Sequence, residues 1–148
     1  QLKLKMRMTQ HLIYMKIFSK IEPNVLLHII TKEKDIVQER HNITPEDKFL
    51  QIGAMKLNNL KTFKPHKHII NNRKTDRTHE SWIVIRGKIK AILYDLDNNI
   101  IHEEILYSGD CTVTFQGGHT YECLEDNTLA YEFKNGPYYG MEADKISI

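Results

Sequence analysis

Short runs of β-branched, aromatic and aliphatic residues, separated by clusters of turn residues, dominate the sequence. The separators, such as DNN, YSGD, QGG and EDN, are rich in residues that favour turns. Short runs that recur at intervals of roughly 8–12 residues indicate an antiparallel sandwich or barrel, so the predicted fold class is all-β. The expected strands span 24–31, 48–57, 81–87, 88–96, 100–106, 111–115, 119–124 and 129–134. One helical turn is expected at 44–49, where Thr44 can act as the cap and Pro45 is the first helical residue.

One expected strand is apolar on both of its faces. Trp82 and Val84 point to one side of it, while Ile83 and Ile85 point to the other. A strand in a simple two-layer sandwich has one solvated face, so burial of both faces requires a second sheet or a subunit interface. We therefore expect the protein to form a homodimer.

Length and composition are those of one globular domain. The chain has 148 residues, 41% of them hydrophobic and 27% charged, with no visible repeat or linker. Residues 1–14 alternate basic and apolar positions and lack the apolar stretch of a secretory signal. We expect residues 1–14 to be a non-native N-terminal extension and residues 15–148 to form the single domain.

Charge, hydropathy and cysteine content bear on partners and compartment. A formal net charge of +2 does not suggest a dedicated nucleic-acid binder, and no segment approaches the ~18 uninterrupted apolar residues of a membrane span. Cys111 and Cys123 lack C-x-x-C spacing and are too few for a disulfide scaffold. We expect a cytoplasmic protein that binds neither nucleic acid nor membrane.

His66 and His68 follow Pro65 in the stretch FKPHKHIINN. At positions i and i+2 of a strand both imidazoles leave the same face, roughly 7 Å apart at the backbone, so the two rings can converge on one ion. Proline suits the start or edge of such a strand, where no ladder donor is needed. The chain holds eight histidines, so a metal site requires further ligands at workable spacings.

Glu80 and His119 are the candidates for those further ligands. Glu80 opens an expected strand, with six residues between it and Gly87, whereas the neighbouring His79 would point to the opposite face of a regular strand. His119 follows the glycine turn 116–118, which is expected to close a three-residue hairpin. The resulting pairs are Phe115 with His119, Val113 with Tyr121 and Cys111 with Cys123.

These residues resemble the two sequence motifs of the cupin family. The first motif, G-x5-H-x-H-x3–4-E-x6-G, matches at His66, His68, Glu80 and Gly87. The second, G-x5-P-x-G-x2-H-x3-N, matches at Gly109, Gly117 and His119. The chain departs from the first motif by placing eleven residues between His68 and Glu80, which must form a loop. Its closing stretch, EFKNGPYYGMEADK, also looks like the tail of the WbuC-type cupin fold metalloproteins.

The resemblance covers residues 48–145 and implies both a fold and a cofactor. The fold is the cupin double-stranded β-helix, a jelly-roll barrel of mainly antiparallel strands. The cofactor is one divalent transition metal, and its implied ligands are His66, His68, Glu80 and His119. Three imidazoles and one carboxylate suit Fe, Ni, Zn, Mn or Cu, and the ligand set does not choose between them.

The resemblance also implies a small polar substrate. WbuC-type proteins are associated with surface-polysaccharide sugar pathways, so a sugar or nucleotide-sugar intermediate is expected, with isomerase, epimerase or hydrolase chemistry. The alternative is a non-catalytic module that uses the metal to bind or sense a small molecule. A metal-free epimerase with a histidine base and a tyrosine acid is a third reading.

Four more residues are candidates for binding the substrate or transferring a proton to it. Tyr121 is either a catalytic proton donor or a cavity-wall residue, because it shares the face of His119. Arg73 and Arg77, in the loop after His68, either bind an anionic group of the substrate or are solvated. Trp82 shares the face of Glu80 and either stacks on the substrate or belongs to the core or an interface.

Overall fold

The computed structural model describes residues 14–148, which form ten β-strands, one 3-10 turn and one short helix. The strands are β1 (Tyr14–Phe18), β2 (Leu26–Thr31), β3 (Arg40–Asn42), β4 (Gly53–Met55), β5 (Glu80–Arg86), β6 (Lys88–Tyr94), β7 (Ile100–Tyr107), β8 (Cys111–Thr114), β9 (His119–Cys123) and β10 (Leu129–Lys134). The 3-10 turn spans Glu33–Asp35, and helix α1 spans Met141–Asp144. The prediction of an all-β chain is confirmed.

Most differences from the expected elements lie in the N-terminal half, and helix α1 at the other end of the chain was not expected either. Strands β1 and β3 were not expected from the sequence. Residues 44–49 form a turn instead of a helix, because the hydroxyl of Thr44 accepts a hydrogen bond from the amide of Ile52 at 2.9 Å instead of capping a helix. Residues 1–13 of the expected N-terminal extension lie outside the described residues, and Tyr14 is the first residue of β1, paired with Thr31.

The strands form three antiparallel sheets. The largest has five strands in the order β1-β2-β8-β5-β10, the second has three in the order β7-β6-β9, and β3 pairs with β4. From β5 onward, every connection except the β6–β7 hairpin crosses between the two larger sheets. Gly87, Gly109 and Gly117 lie at three of these crossings with φ between 81° and 88°, a conformation that glycine adopts without strain.

The main core lies between the two larger sheets. Ile30 and Val84 contribute from the five-stranded sheet, and Ile89, Leu93 and Leu106 contribute from the three-stranded sheet. All five are at most 4% exposed. Burial of aliphatic side chains of this size stabilises the fold by roughly 1.5–3 kcal/mol each, so this layer fixes how the two sheets face each other.

A second apolar cluster covers the outer face of the five-stranded sheet. Ile29 and Val113 pack there against Ile43 and its neighbours in residues 43–54. Strands β2 and β8 are therefore buried on both faces by the chain itself. On β5, where the sequence predicted burial of both faces, Ile85 remains 39% exposed.

The predicted hairpin between residues 111–115 and 119–123 is wrong. Strand β8 pairs with β2 and β5, whereas β9 pairs with β6 in the other sheet. His119 lies opposite Leu93 instead of Phe115. The reason is the positive φ of Gly117, together with a 2.8 Å hydrogen bond from Tyr94 N to Gly118 O, which moves the chain from one sheet to the other. Cys111 is buried and Cys123 is exposed, so the two thiols do not face each other.

The two larger sheets do not close into a barrel within residues 14–148, because β9 and β10 each keep one edge unpaired. No strand forms between β4 and β5, and every residue from 55 to 78 is exposed. We call residues 62–74 the arm, because no hydrogen bond or salt bridge ties them to other described residues. No helix in the described part of the chain is long and apolar enough to cross a membrane.

Candidate functional site

A cavity of about 660 Å³ lies beside the open edges of β9 and β10. The start of β5 contributes Glu80 and Trp82 to its wall, and β9 contributes His119 and Tyr121 next to them. Residues 144–146 of the C-terminal segment help to close it. Four of the residues proposed from the sequence thus line one cavity.

The centre of the cavity wall is a pair formed by Glu80 and His119. The two side chains come from the first residues of β5 and β9, in different sheets, and His119 Nε2 lies 3.1 Å from Glu80 Oε1. The same oxygen accepts a 2.8 Å hydrogen bond from the indole Nε1 of Trp82. Glu80 lines the cavity and His79 does not, because the His79 ring packs edge-on to Phe115.

The protonation states of this pair follow from its contacts. Burial by itself raises the pKa of the Glu80 carboxyl, but the hydrogen bonds from His119 and Trp82 outweigh burial and hold the pKa below its ordinary value. Glu80 is therefore ionised at neutral pH and can only accept hydrogen bonds. It follows that Nε2 of His119 carries a proton in this arrangement.

The other ring nitrogen of His119 has no partner. Its Nδ1 atom is buried and makes no hydrogen bond within residues 14–148. Buried polar atoms are almost always hydrogen-bonded, because leaving one unpaired costs about 1–3 kcal/mol. An imidazole beside a carboxylate, with one nitrogen unsatisfied, is the donor chemistry that a transition metal recruits.

Tyr121 and Trp82 form an aromatic wall next to this pair. Their rings stack with centroids 4.1 Å apart and planes inclined by 15°. The Tyr121 hydroxyl is 2.7 Å from the hydroxyl of Thr112, which is fully buried. Burial raises the pKa of Tyr121 well above its ordinary value, so the phenol stays protonated at physiological pH and is held by Thr112.

Gly117 and His28 both lie against the carbonyl oxygen of Tyr94, next to the turn that leads into β9. A Cβ on Gly117 would lie 2.4 Å from the carbonyl oxygen of Tyr94, so only glycine permits this approach. His28 is fully buried and bridges Tyr94 O at 3.0 Å and Thr114 Oγ1 at 2.9 Å. Burial lowers the pKa of His28 to about 4, so its ring is neutral at pH 7.

His66 and His68 lie in the arm, apart from the cavity. Their rings are close to each other, with centroids 5.5 Å apart in an edge-to-face arrangement, and both residues are exposed. Within residues 14–148, no three histidine, cysteine, aspartate or glutamate side chains lie close enough together to hold a metal. The structure thus forms two halves of the expected ligand set, Glu80 with His119 and His66 with His68, and does not join them.

The two arginines have different surroundings. Arg77 donates a 2.8 Å hydrogen bond to Gln116, which lines the cavity, so its guanidinium lies at the rim. Arg73 is an exposed residue of the arm. Only Arg77 is therefore positioned to meet a ligand in the cavity.

Three charged residues at the cavity or beside it were not expected from the sequence. Glu132 and Asp144 line the cavity, and Lys134 Nζ lies 3.5 Å from Glu132 and 3.4 Å from Asp144. The alternation of Glu132 and Lys134 with aromatic residues on β10 was a signal that one face of this strand meets a polar space. Asp144 carried no such signal, because it reaches the site through the fold of the C-terminal segment.

Comparisons with protein-family models, with curated proteins and with solved structures find no match to this chain.

Proposed function

We propose that this protein is a metal-binding domain of the cupin type, with Glu80 and His119 as two ligands of a divalent transition metal and His66 and His68 as the others. The observation that carries the proposal is the close approach of His119 Nε2 to the Glu80 carboxylate, at 3.1 Å on the cavity wall, where one metal ion could replace the shared proton and bind both groups. The repeated crossing of the chain between two antiparallel sheets is typical of jelly rolls and supports the cupin resemblance.

The residues around the Glu80–His119 pair suit a small polar substrate. A bound Fe, Ni, Zn, Mn or Cu ion would polarise a hydroxyl or carbonyl oxygen. Trp82 and Tyr121 provide a flat wall, Glu132 provides a hydrogen-bond acceptor for hydroxyl groups, and Arg77 provides a cation at the rim. A sugar or nucleotide-sugar intermediate fits these groups, and isomerisation, epimerisation and hydrolysis are the reaction types that we propose.

The second candidate function is non-catalytic binding or sensing of a small molecule through the same metal. The surroundings of Tyr121 favour this non-catalytic function. The phenol is buried and hydrogen-bonded to Thr112, and burial raises its pKa, so it is a poor proton donor. In that case Glu80 and His119 hold the metal, and the cavity walls select the ligand.

The proposal includes a homodimer in the cytoplasm. Tyr131 and Phe133 leave an aromatic patch on the outer face of β10, exposed by 55% and 51%. Exposed apolar patches of this kind mark interaction surfaces. The unpaired thiols Cys111 and Cys123 suit a reducing compartment.

Turnover separates the candidate functions. The protein is incubated with a panel of sugars and nucleotide sugars, before and after chelation, beside the variant H119A. Conversion that stops on chelation and in H119A supports the enzyme. A compound that raises Tm but is recovered unchanged supports the binding module. Conversion that survives complete removal of metal contradicts both.

A further inference from the structure

The arm and the open edge of β9 are complementary, and we propose that the arm of one copy of this chain docks on the β9 edge of a second copy. His66 and His68 of each chain then reach the Glu80–His119 pair of its partner. The inference rests on the proposed metal site and names the molecule that completes it.

The open edge of β9 presents a regular set of unpaired backbone groups. Gly118 O accepts a hydrogen bond from Tyr94 N at 2.8 Å, and Leu124 N donates one to Lys88 O at 2.9 Å. The even-numbered positions therefore face β6, and because backbone groups alternate along a strand, the odd-numbered positions face the open edge. Those positions are His119, Tyr121 and Cys123. An added strand would pair with them, as in β-augmentation.

The arm has the properties of a strand that lacks a sheet. Ile69 and Ile70 are 85% and 103% exposed, and Phe63 is 57% exposed. Apolar side chains of this size lose roughly 1.5–3 kcal/mol of possible burial energy each when they remain in water. In a strand paired with β9, Ile70 would share the face of His66 and His68, whereas Phe63 and Ile69 would lie on the opposite face.

Charge also favours this docking. The arm carries four cationic residues and no acidic residue. The cations are Lys64, Lys67, Arg73 and Lys74. The strands and turn that flank the open edge carry four acidic residues, Glu122, Glu125, Asp126 and Glu132, against one cation, Lys134, which lies 3.5 Å from Glu132. Attraction between the two surfaces orients the arm towards this edge and weakens as salt is added.

We assign the open β9 edge to the arm of a second copy because the arm is not bound to the described residues of its own chain. No hydrogen bond or salt bridge ties it to other described residues, and its own β9 edge stays open. Reciprocal exchange of arms pairs the β9 edges of both copies and gives a closed two-fold dimer. A different protein would bind either the arm or the β9 edge and leave the other surface unpaired.

The first test measures the dimer without reference to metal. We expect the full chain to have twice the 17.4 kDa mass of one chain by light scattering. The variant I69D/I70D should be a folded monomer with faster hydrogen exchange at the amides of His119, Tyr121 and Cys123. V37D, a change at a residue 66% exposed outside the arm, is the control and should remain a dimer. A dimeric I69D/I70D with unchanged exchange overturns the inference, as does a monomeric wild-type chain.

The second test asks which chain supplies the histidines. Chains carrying H66A/H68A and chains carrying H119A are given different tags, and the mixed dimer is isolated. Exchange gives the mixed dimer one intact site, so it should bind about half the wild-type metal per chain, while neither parent dimer binds any. A mixed dimer without metal, when the wild type is loaded, shows that each arm serves its own chain and overturns the inference. If the wild type binds no metal, the proposed function fails and the first test alone decides arm exchange.

Discussion

His119 Nε2 and Glu80 Oε1 lie 3.1 Å apart, although the two residues are 39 positions apart in the sequence and belong to different sheets. The carboxylate is buried, ionised and held in place by the indole of Trp82. Such a pair is costly to bury unless its groups are fully satisfied, and His119 Nδ1 is not. The arrangement is therefore explained best as part of a binding centre.

Tyr121 is expected to support the cavity and not to transfer protons. Y121F removes the partner of the buried Thr112 hydroxyl, so it should lower the free energy of unfolding by about 1–2 kcal/mol. Urea titration measures this loss, and metal content and ligand binding should stay at wild-type values. Y131F, at an exposed tyrosine on β10, is the control and should unfold like the wild type. A loss of turnover in Y121F at unchanged stability would assign the proton transfer to this phenol.

Stability should fall as the pH drops from 6.5 towards 4, because of His28. Its pKa is about 4 in the folded chain and about 6.5 when unfolded. In that window the unfolded chain binds the extra proton, so stability rises with pH by up to about 3 kcal/mol. The lowered pKa of His79 acts in the same direction.

The His28 contribution is isolated by substitution. H28Q cannot titrate, so unfolding measured in urea between pH 4 and pH 7 should show a shallower pH dependence than the wild type shows. The comparison concerns the slope, because the substitution also lowers stability at pH 7. Equal slopes in the two proteins would mean that His28 is not held neutral.

Gly87 is expected to resist replacement, as Gly117 does. It has φ of 88°, and a Cβ there would lie 2.2 Å from Thr128 Oγ1 and 2.8 Å from Thr128 Cα. G87A should therefore lower the free energy of unfolding by more than about 2 kcal/mol. Gly53 is the control: a Cβ there would lie 3.1 Å from the flexible end of Arg40 and 3.6 Å, an ordinary contact distance, from His41 O, so G53A should cost under about 1 kcal/mol. Equal stability of G87A and the wild type would show that the connection between β5 and β6 can rearrange.

The sequence predicted local features of the fold better than pairings between distant segments. Most strands were recognisable because β-branched runs end at turn residues. The partner of β9 was not predictable, since the choice between β8 and β6 depends on core packing and on the Tyr94–Gly118 hydrogen bond. Strand β1 was missed because it is only five residues long and begins at Tyr14, which was assigned to the N-terminal extension.

The candidate site was partly predictable for the same reason. Motif spacing selected Glu80 and His119. In the structure the packing of the two larger sheets, and not the spacing, brings the two residues together. His66 and His68 were assigned to the same centre, but spacing cannot say which chain delivers them. Asp144 was not found, because its approach to the cavity depends on the path of the C-terminal segment.

The most direct test of the central claim is elemental analysis of the protein purified without affinity metals. We expect about one divalent transition metal per chain in the wild type and less than about a tenth of that in E80Q and H119A. H102A is the matched control, because His102 Nε2 lies 2.9 Å from Glu104 in a similar pair on β7, and it should keep its metal. A wild-type protein with less than about a tenth of an equivalent, or an H119A variant that stays fully loaded, would contradict the proposed metal centre.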